Sequence, residues 1–167
     1  MILSKKEILR QIKKGRIKIE PFDPSAIKSC SLDLTLSNQF AFPKGKDIIV
    51  TENIDFNKHF TQTTKEKLVL KPGDFILGIT KEKITLPSNI AAFLSGRSRF
   101  ARLGLQVHSS SSFVQPCVSN RQVFEIKNIG KHNLIVKPGL KVGQIIFMKV
   151  DGKTSYSGIF KNQNKII

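Results

Sequence analysis

The chain has 167 residues, with 28 Lys and Arg against 12 Asp and Glu, and a formal net charge of +16. That length carries one domain with a core and excludes two, and a hydrophobic content of 40% excludes a disordered tail. No apolar run is long enough to span a bilayer, and the excess of cations points to a polyanionic partner (nucleic acid, nucleotide or membrane surface) or to a solvating lysine coat.

Met1-Ile2-Leu3-Ser4-Lys5-Lys6 lacks the basic region, apolar stretch and small-residue cleavage site of a secretory leader, so a cytoplasmic location is expected. Ser4-Lys5-Lys6-Glu7 fits a capping box, Ile8, Leu9 and Ile12 form an apolar stripe, and Gly15 suits a terminator, which predicts one short helix. Everything after it reads as β. Arg16 to Ile19 and Ser31 to Leu36 alternate as half-buried strands do. Asp47 to Lys67 is polar and is expected to be a long excursion with little regular structure. Leu68-Val69-Leu70 and Leu134-Ile135-Val136 each run into a Lys-Pro-Gly turn, a weak internal echo in which Gly accepts a positive φ. Short strands separated by turns suggest a β-barrel or jelly roll. The tail from Asp151 is polar, contains Gly152 and Gly158, and is expected to be mobile. Two cysteines, Cys30 and Cys117, do not suggest a disulfide scaffold.

Charge is unevenly distributed. From Lys83 onward the only acids are Glu125 and Asp151. Any carboxylate chemistry in this half therefore has almost no choice of residue. Three segments carry chemical potential. Ser95-Gly96-Arg97-Ser98-Arg99-Phe100-Ala101-Arg102-Leu103-Gly104 combines guanidiniums, hydroxyls and glycine, which suits phosphate. A basic surface loop is the plainer reading, and the P-loop pattern is absent. His108 is followed by a serine run, Ser109 to Ser112, then Phe113-Val114-Gln115-Pro116-Cys117; such a run is usually a solvated loop. Arg121 to Asn128 reads as a strand with Gln122, Phe124 and Ile126 on one face and Val123, Glu125 and Lys127 on the other. A strand Glu is most often a solubility residue, but this one stands nearly alone among cations.

Zinc chemistry lacks ligands. Pro116-Cys117 resembles the start of a zinc deaminase signature, yet Asn120 stands where the second Cys belongs, and no His is followed two residues later by Glu. A Ser-His-Asp triad is poorly supported, because acids are scarce near Ser98 and His108.

Taken together, the segments resemble the dCTP deaminase branch of the dUTPase superfamily over nearly the whole chain. Ile19-Glu20-Pro21-Phe22-Asp23 and Ser31-Leu32-Asp33-Leu34 resemble its early strands. Gly96-Arg97-Ser98 through Ala101-Arg102-Leu103-Gly104 is similar to its G-R-S-S-x-A-R-L-G signature. Pro138-Gly139 followed by Gly143-Gln144-Ile145-Ile146-Phe147 resembles its strand pair, and Tyr156 to Gln163 its closing tail. The resemblance implies a mainly β, distorted jelly-roll barrel, assembled as a homotrimer with shared sites. It implies dCTP and dUTP as partners, dTTP as an inhibitor, Mg²⁺ carried by the triphosphate and no zinc. Glu125 takes the position of the general acid/base. Ser98 and Arg102 would position the water and stabilise developing charge. Arg97, Ser98 and Arg99 would hold the phosphates, and the adjoining Phe100, Ala101 and Arg102 would complete the nucleotide-binding segment. Gln115 would lie by the deoxyribose, Val123 and Phe124 by the base, and Tyr156 and Gln163 would close from the tail, so that 151–167 covers the site of a single 1–167 domain.

The chain departs from that pattern. Arg99 replaces a second Ser, and Ser111 an Ala. Cys117 and Asn120 replace glycines, so the turn there is expected to be built differently. Ile159 and Phe160 replace the tail's Lys and Tyr. Bifunctional members and dUTPases carry an Asp near Gln115 that activates water against the phosphate chain, and Gln cannot act as that base, which favours deamination alone. A dUTP or dCTP pyrophosphohydrolase, a triphosphate sensor without turnover and a nucleic-acid-binding module are the alternatives; the last is disfavoured by the lack of interleaved aromatics.

Overall fold

The computed structural model describes residues 1–167. Its first element is the helix α1, Lys5–Lys13. Ser4 caps it, accepting from the Glu7 N–H at 3.4 Å, and Gly15 leaves it at φ 67°. Only half of the capping box forms. The Glu7 carboxylate turns away to Arg10 and Gln11, at 2.7 and 2.6 Å. The apolar stripe buries Ile8 fully.

The chain is then mainly β, with local exceptions. After β1 (Lys18–Glu20) comes a 3-10 turn, Pro24–Ala26, capped by Asp23. The long strand β2 (Leu32–Pro43) follows. The polar stretch expected to lack structure contains a short helix, α2 (Phe56–His59), and a strand, β3 (Phe60–Thr64). Asp55 caps α2 through the Asn57 N–H at 3.1 Å. β3 is polar because it is an edge strand, pairing only with the distal half of β2. Then come β4 (Leu68–Leu70), β5 (Phe75–Thr85), β6 (Ile90–Gly96) and a four-residue helix, α3 (Ser98–Ala101). The last strands are β7 (Leu105–Val107), β8 (Phe113–Val114), β9 (Ser119–Asn128), β10 (Leu134–Val136) and β11 (Lys141–Lys149).

Nine strands share one antiparallel sheet in the order β7-β9-β5-β2-β11-β6-β8, with β1 on β5 and β3 on β2. The sheet curls into a distorted barrel. β6 comes near the opposite end strand, β7, where a Cβ on Gly96 would lie 3.3 Å from the Val107 carbonyl, a tight contact that glycine avoids. The internal echo is structural: β4 and β10 pair with each other as a separate two-stranded sheet, and both following glycines, Gly73 and Gly139, have positive φ. The core holds Phe40, Phe124 and Phe147 at 0% exposure, each contributing about 1.5–3 kcal/mol. Both cysteines are free. No helix is long and apolar enough to cross a membrane.

Candidate active site

β9 decides which side chains can meet a ligand. Its alternation sends Asn120, Gln122, Phe124 and Ile126 into the core and leaves Arg121, Val123 and Glu125 half-exposed, as the period-two reading expects. That outer face lines a cleft of about 980 Å³. Gln115, Ser111, Tyr156 and Gln163 also line it, so five of the expected residues (Gln115, Val123, Glu125, Tyr156, Gln163) share one cavity. Phe124 lies beneath it in the core.

Glu125 is held by the serine run. The Ser109 and Ser110 N–H groups donate to Oε2 at 3.0 and 2.6 Å. The Ser110 hydroxyl lies 2.9 Å from both Oε1 and Oε2. Burial raises the proton affinity of this carboxyl, but the Ser110 donors, the neighbouring His108 and the Ser109 N–H outweigh burial and hold it below its ordinary value. The loop is in turn anchored by His108. Its N–H donates to the Glu125 carbonyl at 2.8 Å, and its Nε2 lies 2.6 Å from the Ser111 carbonyl. Nε2 therefore carries a proton, and Nδ1 is buried without a partner. His108 holds φ 63°, a strained geometry for a non-glycine residue. The serine run was visible in the sequence; its attachment to Glu125 follows from the register of β7 against β9, which the sequence does not show.

The tail lies along the free edge of β9. The Ser119 and Arg121 N–H groups donate to the Lys161 and Gln163 carbonyls at 2.8 and 2.9 Å. Asn120 donates to the Phe160 carbonyl at 2.7 Å, and Ile166 is buried beside Ala41 and Ile79. Asn120 thus tethers the tail. Phe160 packs near Phe56 of α2, ring centroids 6.4 Å apart. Sequence reasoning missed Phe56, and it also missed Arg121. The Arg121 guanidinium donates to the Thr80 carbonyl and to Gln39 at 2.6 and 2.9 Å, and burial lowers its proton affinity.

The glycine-arginine-serine segment lies elsewhere. Arg97 donates to the Lys141 carbonyl at 2.6 Å, pairs with Asp33 at 3.1 Å and sits 5.9 Å from the Phe100 ring centroid. Its guanidinium is therefore engaged by the fold. Ser98, Arg99, Ala101 and Arg102 are exposed, and none of residues 97–102 lines the cleft. One chain by itself does not bring them to Glu125.

In the turn after Pro116, Cys117 occupies φ 63°, the left-handed region that glycine favours, and its thiol lies 3.4 Å from the Thr154 carbonyl. A non-glycine residue holds that backbone at a steric cost.

A family model described as dCTP deaminase-like matches residues 2–150. The chain is 35% identical, over 98% of its length and 88% of the relative, to a protein of Kocuria rhizophila named dCTP deaminase, dUMP-forming. It is 39% identical, over 90% of its length and 84% of the relative, to a Hydrogenobaculum protein of the same name. Among solved structures, the 2'-deoxycytidine 5'-triphosphate deaminase from Agrobacterium tumefaciens superposes with a TM-score of 0.71 at 18% identity, over 90% of this chain. This chain spans about half of that longer one, 48%. A dUTPase of Staphylococcus bacteriophage 80alpha superposes with a TM-score of 0.52 at 10% identity, over 86% of this chain and 88% of that one. At these identities the two structures establish a dUTPase-like fold.

Proposed function

The chain belongs to the dCTP deaminase-like family, and on that premise we propose that it converts dCTP and water to dUTP and ammonia. The observation that carries this reading is Glu125: a carboxylate held ionised by donors on the wall of a nucleotide-sized cleft. The other carboxylate on that wall, Asp55, caps α2. Glu125 takes a proton from the attacking water as its oxygen bonds to the amino-bearing ring carbon. It delivers that proton to the ring nitrogen, then takes the second proton from the carbon-bound hydroxyl and passes it to the amino group, which leaves as ammonia as the C–N bond breaks and the carbonyl forms. Gln115 lies by the sugar, and Val123 by the base.

Ser98, Arg99 and Arg102 are exposed and outside this cleft, which supports a shared site: a neighbouring copy in a homotrimer supplies them, and the guanidiniums meet the phosphates and developing charge. No group of three or more His, Cys, Asp or Glu side chains comes together. Mg²⁺ arrives on the triphosphate and screens its charge, and the hydrolysis uses no zinc.

The second reading is release of dUMP, favoured by the dUMP-forming names of the relatives. We assign dUTP because Gln115 has no carboxylate to activate water against the phosphate chain. Incubation of the protein with dCTP and Mg²⁺, followed by anion-exchange chromatography, tests both, with dUTP and CTP as parallel substrates. The expected products are dUTP and ammonia. Appearance of dUMP and pyrophosphate replaces the product assignment, and binding of dCTP with no conversion overturns catalysis.

A further inference from the structure

A carboxylate that exchanges protons with a water needs one oxygen anchored and one free. The two oxygens of Glu125 are unequal in this sense. Oε2 accepts the Ser109 N–H at 3.0 Å, the Ser110 N–H at 2.6 Å, the Ser110 hydroxyl at 2.9 Å and the Ser109 hydroxyl at 3.3 Å. The only donor near Oε1 is that same Ser110 hydroxyl, at 2.9 Å, whose single hydrogen the two oxygens share. A carboxylate oxygen offers about two lone-pair directions. Oε2 is therefore saturated, largely by backbone that cannot rotate away, and Oε1 keeps a direction open.

We propose that Ser110 is a positioning residue for the deamination: its N–H fixes Oε2, and its shared hydroxyl is the exchangeable donor that keeps Oε1 an ionised acceptor, so that Oε1 takes the proton of the attacking water. The catalytic use rests on the deaminase reading. The hold of Ser110 on Glu125 does not. Few other groups compete for this role. β5 places Leu77 opposite Glu125 in the ladder. His108 is the titratable group from the loop after β7, and its ring is tied to the Ser111 carbonyl. Arg121 and Lys127 share the outer face of β9, and Arg121 donates to Thr80 and Gln39. Asp55, Tyr156 and Lys165 line the same cleft without bonding Glu125.

Ser110→Ala removes the hydroxyl and leaves both backbone donors. The test is a ¹³C-carboxyl NMR titration of glutamate-labelled protein, with the Glu125 signal assigned by Glu125→Gln, beside the pH profile of kcat/KM for dCTP. In Ser110→Ala the Glu125 midpoint is expected to rise by about half a unit to one unit. The acid limb of the profile is expected to rise with it, and Ser110→Thr to restore both. Ser109→Ala, which removes a hydroxyl at 3.3 Å, shifts the midpoint less. An unmoved midpoint, with amide shifts of residues 108–112 showing the loop intact, overturns the proposal while leaving the deaminase reading untouched. A moved midpoint in a protein that never converts dCTP overturns that reading, and with it the catalytic use of Ser110, while confirming the hydroxyl's hold on the carboxylate.

Discussion

Asp33 and Arg97 form an ion pair across the sheet: Oδ2 of Asp33, 3% exposed, lies 3.1 Å from a guanidinium nitrogen of Arg97. The pair ties two segments that stand 64 positions apart in sequence, the S-x-D-L strand and the glycine-arginine-serine segment. Arg97 thereby fixes the start of α3 and sets where the exposed Ser98, Arg99 and Arg102 are presented. Asp33→Asn leaves Arg97 and the half-exposed Lys28, 3.8 Å from Asp33, without their carboxylate. The cost is expected to be about 2 kcal/mol, below that of a fully buried pair because both cations reach solvent. Thermal denaturation should show a melting temperature lower by about 4–8 °C; an unchanged melting temperature would show that the pair contributes nothing to stability.

Glu125→Gln keeps the shape of the side chain and its acceptor oxygen but removes the base. Turnover of dCTP is expected to fall by at least about 10³-fold, with dCTP affinity by calorimetry within a few-fold of wild type. A Gln variant that still turns over would remove Glu125 from the chemistry.

Much of this was legible in the sequence because it depends on local pattern. The α1 cap and stop, the period-two alternation of β9 and the positive φ of Gly73 and Gly139 follow from residue type and spacing. Glu125 stood out because acids are so rare after Lys83. What was not legible depends on register and tertiary contact. The serine run looks like a solvated loop until β7 pairs with β9 and brings its amides to Glu125. The stretch around α2 looks structureless because an edge strand and a capped single turn need no apolar stripe. Arg97 reads as part of a phosphate-suited segment, and its ion pair with Asp33, from a distant strand, does not show in the sequence. The positive φ of Cys117 is not legible either, because nothing in that residue type calls for the strained left-handed region.

That strain is measurable. At φ 63° Cys117 occupies a conformation that costs an L-residue about 1–2 kcal/mol. Glycine relieves it but gains freedom in the unfolded chain, worth about 0.4–1 kcal/mol. Cys117→Gly is therefore expected to be more stable than Cys117→Ala by about 0.5–1 kcal/mol, since both lose the contact of the thiol with Thr154 and only glycine relaxes the backbone. Urea midpoints of the two variants check this. An Ala variant as stable as the Gly variant would mean the left-handed turn costs nothing here.

Acid sensitivity has a defined window. The Glu7 carboxyl is pulled down to about 2, chiefly by the Arg10 hydrogen bonds, and Asp23 to about 2, chiefly by Lys141. Both folded values lie below their ordinary ones, 4.5 and 3.8. Their stabilisation is thus complete above the ordinary values and is lost as pH falls toward 2. Because both carboxylates reach solvent, it screens the effect. Asp23→Asn should flatten the decline of stability between pH 4 and 2, as followed by circular dichroism; an unaltered slope would mean that the Asp23–Lys141 pair does not form in solution.

Gly143 tests how tightly the core supports the site. It is buried on β11, and a Cβ there would lie 2.5 Å from Cζ and 2.9 Å from Cε1 of Phe124, a ring that is itself 0% exposed. The ring cannot swing to solvent, so Gly143→Ala must displace β11 or β9, at a cost of about 1–3 kcal/mol. Phe124 immediately precedes Glu125, so a displaced β9 moves the carboxylate away from Ser109 and Ser110. A fall in kcat larger than the rise in KM is expected. Phe124→Leu shortens the ring position and by itself leaves a cavity. Combined with Gly143→Ala, it should restore part of both stability and kcat, so the double variant is expected to be less impaired than the sum of the single ones. Strict additivity in both stability and kcat would show that the two residues do not act through this contact and would break the inferred link from core packing to Glu125.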